Sequence, residues 1–325
     1  MAFETLEFEE PIAVLLKEIE ALTLLPRTDA RERAIESLRR RVDAVRSELY
    51  RSLTPWQHVL VARHPNRPSL ADYIERLFTD FVEIHGDRRF ADDHAIMTGF
   101  AEYKGQPVLL VGHVKGGDTK EKIFRNFGYA RPEGYRKALR AMRLAEKFAR
   151  PVIIFVDTPA AYPGVESEER GVAEAIAVNL REMMLLDTSV VIIVSGEGGS
   201  GGALGIAVGD RVLMQEFAIY SVIPPEGCAA ILWRDASKKI DAAEALKITA
   251  PDLLKAGIID EIVPEPVGGA HADPASAAVL LDGVLERVLA EVSALDSENR
   301  LAQRYEKFGS MGRVGIDFVD ESAQR

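Results

Sequence analysis

Apolar residues fall along this chain in two rhythms. Within residues 3–50 they step by three and four: Ile35, Leu38, Val42, Val45 and Leu49 make one seam on a helix, and Asp29 suits its N-cap. Arg31, Arg33, Arg39, Arg40 and Arg41 lie mostly off that seam, as on a solvated face or one that meets a partner helix. Residues 152–156 and 190–194 are unbroken runs of apolar β-formers, which predict strands buried on both faces. Residues 95–103 and 108–114 read as a hairpin around Lys104-Gly105-Gln106. Thr54-Pro55 and Ser69 open short helices, the second running to about residue 81. Further helices are predicted at 132–149, 168–186, from Asp241 as cap through Lys247, at 274–292 and at 301–307, with short strands at 211–214, 218–222 and 258–263. Helices alternating with apolar strands predict an α/β fold with parallel crossovers. Residues 309–325 lack a periodic apolar face and are expected to be mobile.

The second apolar run leads into Ser195-Gly196-Glu197 and then Gly198, Gly199, Gly201 and Gly202 around Ser200. Small apolar residues follow at helical spacing. A strand that turns into a helix through glycines bares backbone amides at a positive helix end, which favours an anion or a developing oxyanion. A tight turn with close packing is the plainer reading, but four glycines in five positions exceed what a turn needs.

Composition narrows the function. A net charge of −11 argues against a general nucleic-acid binder. Within that acidic chain, residues 115–150 carry eleven Lys or Arg against four Asp or Glu. Such a run is either a solvated helix face or a contact for a phosphate, carboxylate or carbamate. The single cysteine, Cys228, excludes a disulfide framework and a CxxC zinc site and reads as a buried thiol. The histidines at 58, 64, 85, 94, 113 and 271 lack metal-ligand spacing, so no metal is expected in this chain. The acidic start has no signal-peptide core and no apolar run approaches a membrane span, so a cytoplasmic protein without membrane contact is expected.

Two generic motifs overlap the glycines. Residues 196–201 fit G-x-G-x-x-G, but too far along the chain for a first dinucleotide-binding unit, and Glu216 falls between two short strands. Residues 198–202 fit G-x-S-x-G, and with Asp260 and His271 downstream they leave a serine hydrolase using Ser200 as an alternative. His271 sits in a stretch that reads as a linker.

Four longer segments are more specific: DTKEKIFRNFGYARPEGYRKALR at 118–140, DTPAAYPGVESEERG at 157–171, GEGGSGGAL at 196–204 and YSVIPPEGCAAILW at 220–233. Through them the chain resembles the carboxyltransferase alpha subunits of multi-subunit bacterial acetyl-CoA carboxylases, over roughly residues 3–310. The stretch ALKITAPDLLKAGIIDEIVPEP resembles the close of crotonase-like domains. One departure is Ala160, where the family usually has glycine; alanine would be strained there if φ were positive.

The resemblance implies a crotonase-like spiral of strand-strand-helix units over residues 85–296. Residues 1–84 would form an N-terminal helical extension for subunit contact, and residues 297–325 a C-terminal helix and tail. It implies transfer of a carboxyl group from carboxybiotin, borne on a separate biotin carboxyl carrier protein, to acetyl-CoA, giving malonyl-CoA. The implied partners are a beta subunit with a four-cysteine zinc ribbon and a biotin carboxylase. The chain's one cysteine means that it is not that beta subunit. The backbone amides of Gly201 and Gly202 are the expected donors to the ureido oxyanion. Gly198, Gly199, Tyr162, Lys120, Arg125 and Arg131 are the expected substrate contacts. The freed ureido group can itself take the methyl proton, so no side-chain base is required. A non-catalytic scaffold that only binds its partner through the N-terminal helices is a further alternative.

Overall fold

The computed structural model describes residues 5–312. Four helices lead: α1 (Glu10–Thr23), α2 (Asp29–Arg51), α3 (Pro55–Ala62) and α4 (Leu70–Leu77). The seam on α2 is filled from within the chain, because Leu38, Val42, Val45 and Leu49 pack on Ile12, Leu15, Leu16 and Ile19 of α1. Its cap is Thr28, whose Oγ1 accepts from the Arg31 amide at 3.2 Å; Asp29 is the first helical residue, where its charge suits the helix dipole.

The helix after Ser69 stops at Leu77 rather than near residue 81, and the chain enters β1 (Thr79–Glu83). The aromatic and β-branched residues there suit a strand, and β1 pairs antiparallel with β2 (Ile96–Tyr103). Gly99 of β2 makes room for the Phe81 ring, from which a Cβ would stand only 2.5 Å. A two-residue turn joins β2 to β3 (Gln106–His113), with Lys104 and Gly105 both left-handed as a type I′ hairpin requires.

From β3 the sheet is parallel. It runs through β4 (Val152–Thr158), β5 (Val190–Gly199), β6 (Arg211–Gln215) and β8 (Glu261–Val263), while β7 (Ile219–Ser221) pairs with the far end of β5. Between β3 and β6 lie α5 (Thr119–Phe124), α6 (Pro132–Lys147), α7 (Val165–Glu169), α8 (Val172–Leu185) and α9 (Ser200–Leu204). After β7 come α10 (Pro225–Trp233), α11 (Lys239–Leu246) and α12 (Ala250–Lys255), and after β8 come α13 (Pro274–Ser293) and α14 (Ser297–Ser310). Asp241 thus lies in the first turn of α11 rather than at its cap. The helix expected at 168–186 is broken in two by left-handed Gly171.

Both faces of β4 and β5 are buried, which explains their unbroken apolar runs. Val152, Ile154, Val156, Val190, Ile192 and Val194 face the side packed by α6 and α8. Ile153, Phe155, Val191 and Ile193 face α4 and α13. The last helix is longer than expected because Asp296 caps it, accepting from the Asn299 amide at 2.9 Å. Buried Arg304 ties α14 down, donating to Asp210 Oδ1 and to the carbonyls of Met183 and Leu186, each at 2.8 Å. Gly309 and Ser310 therefore belong to α14; from residue 313 the expected mobile tail lies outside the described residues.

Candidate functional site

The strand that carries the glycines does not end at residue 194. It pairs with β6 as far as Val194, then exchanges that neighbour for β7, with Glu197 opposite Ile219 and Gly199 opposite Ser221. Gly196, Gly198 and Gly199 thus lie in strand, not in a turn. Close packing requires them. A Cβ on Gly196 would overlap the Asp157 carboxylate, one on Gly198 would stand 2.6 Å from the Tyr220 ring, and one on Gly199 would overlap the Pro159 carbonyl. Gly202, in α9, backs onto the peptide between Ala160 and Ala161 in the same way. Gly201 differs: a Cβ there would meet only Ile176 Cδ1, at 3.6 Å.

Gly201 and Ser200 line a cleft of about 430 Å³ whose other walls include Leu204, Tyr220, Val222, Leu253 and Phe308. The volume suits a small organic ligand and the lining is mainly apolar. Ser200, with φ 49°, makes the strand-to-helix corner. Gly199 at the N-cap of α9 supplies no side-chain acceptor, so the amides of its first turn lack an intrahelical partner and, among the described residues, a side-chain cap.

Two loops support this corner. After β4, Thr158 Oγ1 donates to the Gly128 carbonyl at 2.7 Å, and the Tyr162 amide donates to the Ala130 carbonyl at 2.8 Å. Ala160 does not have positive φ, so the backbone strain considered for it does not arise. Arg131 and Tyr162 come together, with the guanidinium 4.8 Å from the ring centre. Arg125, by contrast, is engaged by Glu121 at 2.8 Å and by the His94 carbonyl at 3.1 Å. Lys120 is exposed in the first turn of α5.

The sequence reading missed a set of charges at the C-terminal ends of β3, β4 and β5. Lys115 Nζ lies 2.7 Å from both Asp157 Oδ1 and Glu197 Oε2. Arg63, just past α3, reaches Glu197 Oε1 and Glu226 Oε1, each at 2.6 Å. Burial alone would lower the Lys115 pKa, but Asp157 and Glu197 carry it above its ordinary value. Burial alone would raise that of Glu197, yet Lys115 and Arg63 hold it below the usual range. Lys115 opens the basic segment and Asp157 ends a strand, so those two had a sequence signal; Arg63 had none. His113, at the end of β3, is fully buried, with its ring against the Gly202 backbone. Burial, then Lys115, pushes it down to about 3, so the ring is neutral.

No triad forms around Ser200. His271 stacks on His64 with ring centres 4.1 Å apart, and Asp260 is paired with Lys307 at 2.9 Å. Glu216 is separated from β7 by only a short link, without the crossover helix of a dinucleotide-binding unit. Cys228 is buried. Among the described residues no cluster of His, Cys, Asp or Glu could hold a metal ion, and no helix is long and apolar enough to cross a membrane.

Over residues 5–312 the chain matches the family described as acetyl co-enzyme A carboxylase carboxyltransferase-like. It is 55% identical over 309 residues to the acetyl-coenzyme A carboxylase carboxyl transferase subunit alpha of Geobacter metallireducens, covering 95% of this chain and 97% of that protein. The subunit of the same name from Geobacillus kaustophilus is 55% identical over 313 residues, covering 96% of each. Among solved structures, transcarboxylase 12S is similar with a TM-score of 0.54 at 20% identity, covering 67% of this chain and 41% of that one. A Pseudomonas malonate decarboxylase hetero-tetramer chain gives 0.55 at 17%, covering 68% and 89%. These two likenesses concern the fold alone, and they agree with the crotonase-like α/β architecture that the resemblance implied. Taken with the sequence matches, which span nearly the whole length, they lead to one conclusion: the chain belongs to the family of acetyl-coenzyme A carboxylase carboxyltransferase alpha subunits.

Proposed function

We propose that the start of α9 is the oxyanion site of a biotin-dependent carboxyltransferase, and that this chain brings it to a centre completed by a partner subunit. As an acetyl-CoA carboxylase alpha subunit, the chain takes part in the carboxyl transfer that converts acetyl-CoA to malonyl-CoA, in a complex with other subunits. Carboxybiotin on a carrier protein supplies the carboxyl group, and its release leaves negative charge on the ureido oxygen. The amides of Gly201 and Gly202 are the donors assigned to that charge. Loss of one such donor typically costs about 2.7–4 kcal/mol of transition-state stabilisation.

The observation that carries this reading is the open side of Gly201. Its neighbours Gly198, Gly199 and Gly202 are glycine because protein atoms press on them, whereas Gly201 faces a mainly apolar cleft beside uncapped amides. A dry wall strengthens hydrogen bonds to a developing charge. The chain's own side chains need not supply a base. His113 is buried and neutral, and Lys115 and Glu197 are committed to one another. Arg131, stacked on Tyr162 and without a carboxylate partner among the described residues, is the cation assigned to the substrate carboxylate or a phosphate. Lys120 is assigned an outer electrostatic role, and Gly198 and Gly199 shape the floor.

The beta subunit is assigned to the surface beside the cleft, where Val222, Ile231 and Leu232 are 75%, 70% and 67% exposed, and to the N-terminal helices. The biotin carboxyl carrier protein and the biotin carboxylase complete the complex. A structure of the alpha–beta assembly with a biotin analogue tests the proposal. The ureido oxygen is expected within about 3.2 Å of at least one of the two amides; an analogue bound away from α9 would refute it.

A further inference from the structure

On the outer face of α6 and α8 lies a second cavity of about 410 Å³, which shares no lining residue with the cleft beside Gly201. Five arginines line it, Arg89, Arg136, Arg140, Arg143 and Arg181, against the carboxylates of Asp87 and Glu174. In a chain of net charge −11 this is a concentrated positive surface.

The pairing of these arginines is uneven. Arg136 is held by Asp87 at 2.8 Å, while Arg143 and Arg181 share the single carboxylate of Glu182 at 2.6 and 2.7 Å. Among the described residues Arg140 donates to the carbonyls of His85 and Gly86 and to no carboxylate. Arg89 is exposed, and its guanidinium has no carboxylate partner among the described residues. Burial, with repulsion from Arg88, holds the Arg140 guanidinium below its ordinary pKa, as expected where positive charge is under-compensated. The floor is different in kind: Leu139, Ala175 and Val178 are apolar, and the buried Asn179 Oδ1 has no hydrogen-bond partner among the described residues. Two guanidinium groups without a carboxylate, Arg89 and Arg140, in a rim whose other three arginines are already paired, fit a compact oxyanion carrying more than one charge better than a single carboxylate. The apolar floor adds room for an organic group, and the volume lies in the range of small-molecule sites.

We propose that this cavity binds a small molecule bearing a pyrophosphate group, through Arg89 and Arg140, at a site separate from α9. Isothermal titration of the full-length chain with inorganic pyrophosphate and with ADP tests it. Both are expected to bind, ADP more tightly because the floor receives part of its organic group, and both more weakly as salt rises. Arg89→Ala and Arg140→Ala are each expected to weaken binding about tenfold, the loss of one charged hydrogen bond. Because Arg140 also holds the 85–86 backbone, exposed Arg89 provides the variant least able to disturb the fold. The proposal is overturned by no binding of either probe at millimolar concentration, by unchanged affinity in the Arg89 variant, or by loss of binding in Arg131→Ala, which would move the site to the α9 cleft. Disappearance of binding on assembly with the beta subunit would equally overturn it, by making this face a subunit contact.

Discussion

Replacing Gly201 and Gly202 one at a time separates packing from chemistry within one turn of helix. Neither has positive φ, so alanine is admissible on backbone grounds at both. At Gly202 the new methyl would stand 2.9 Å from Ala160 Cα and closer still to the following peptide. That peptide must retreat by about 1 Å to restore ordinary contact, and overpacking of this kind costs about 1–3 kcal/mol. At Gly201 the methyl meets only Ile176 Cδ1 at 3.6 Å, an ordinary contact. Gly201→Ala is therefore expected to unfold in urea at the wild-type midpoint, and Gly202→Ala clearly below it. Catalysis should not follow stability. The Gly201 methyl projects into the cleft and holds a ligand off the amide, and loss of one oxyanion donor lowers turnover on the order of 10²-fold. The assay is malonyl-CoA formation by the reconstituted carboxylase. A stable Gly201→Ala protein with full activity would refute the reasoning, because it would show that nothing reacts close to that backbone.

Other substitutions probe the surroundings. Lys115→Met leaves Asp157 and Glu197 without their shared cation; with the lysine side chain 22% exposed, the expected loss is about 3 kcal/mol, the low end for breaking a buried pair. The depressed Glu197 pKa contributes stability above its unfolded value of 4.5, lost as pH falls through the lower folded value, whereas the raised Lys115 pKa contributes below 10.5 and is lost as pH rises through the folded one. Urea unfolding should therefore show the gap between wild type and Lys115→Met shrinking below pH 4.5; a gap independent of pH would exclude the pairing as its cause. Ser200→Ala is expected to fold and to retain activity within about threefold, since no base attends the hydroxyl; a folded but inactive protein would revive the hydrolase reading. Arg131→Ala should raise KM about tenfold through loss of one charged contact, whereas Arg125→Ala should leave KM unchanged and lower the melting temperature. A chain lacking residues 1–52 is expected to fail to co-purify with the beta subunit, and normal assembly would remove that role from α1 and α2.

The central sheet was legible because β4 and β5 are covered on both sides, and a strand so covered has no polar face to interrupt its pattern. β1 was not. Its five residues follow a helix directly, and burial alternates weakly at the sheet edge, so helical spacing extended past its true end. The glycines were correctly found and partly misread. Gly196, Gly198 and Gly199 answer to Asp157, Tyr220 and Pro159, residues 20 to 40 positions away, and such pressure leaves no local trace. The same distance hid Arg63, which meets Glu197 across 134 residues. Arg125 and Arg131 looked alike as members of one basic run, and only the fold distinguishes the tethered guanidinium from the stacked one.

Arg63 also sets where this chain could be shortened. It stands one residue beyond α3, yet it holds the strand end that presents the glycines and the helix that carries the exposed Ile231 and Leu232. The smallest fragment that keeps this corner in shape therefore cannot begin at the sheet. A boundary before Thr54 leaves this strut in place; one drawn after residue 63, however natural it looks on a domain map, would cut the tie between the end of β5 and α10 and leave Glu197 to Lys115 alone.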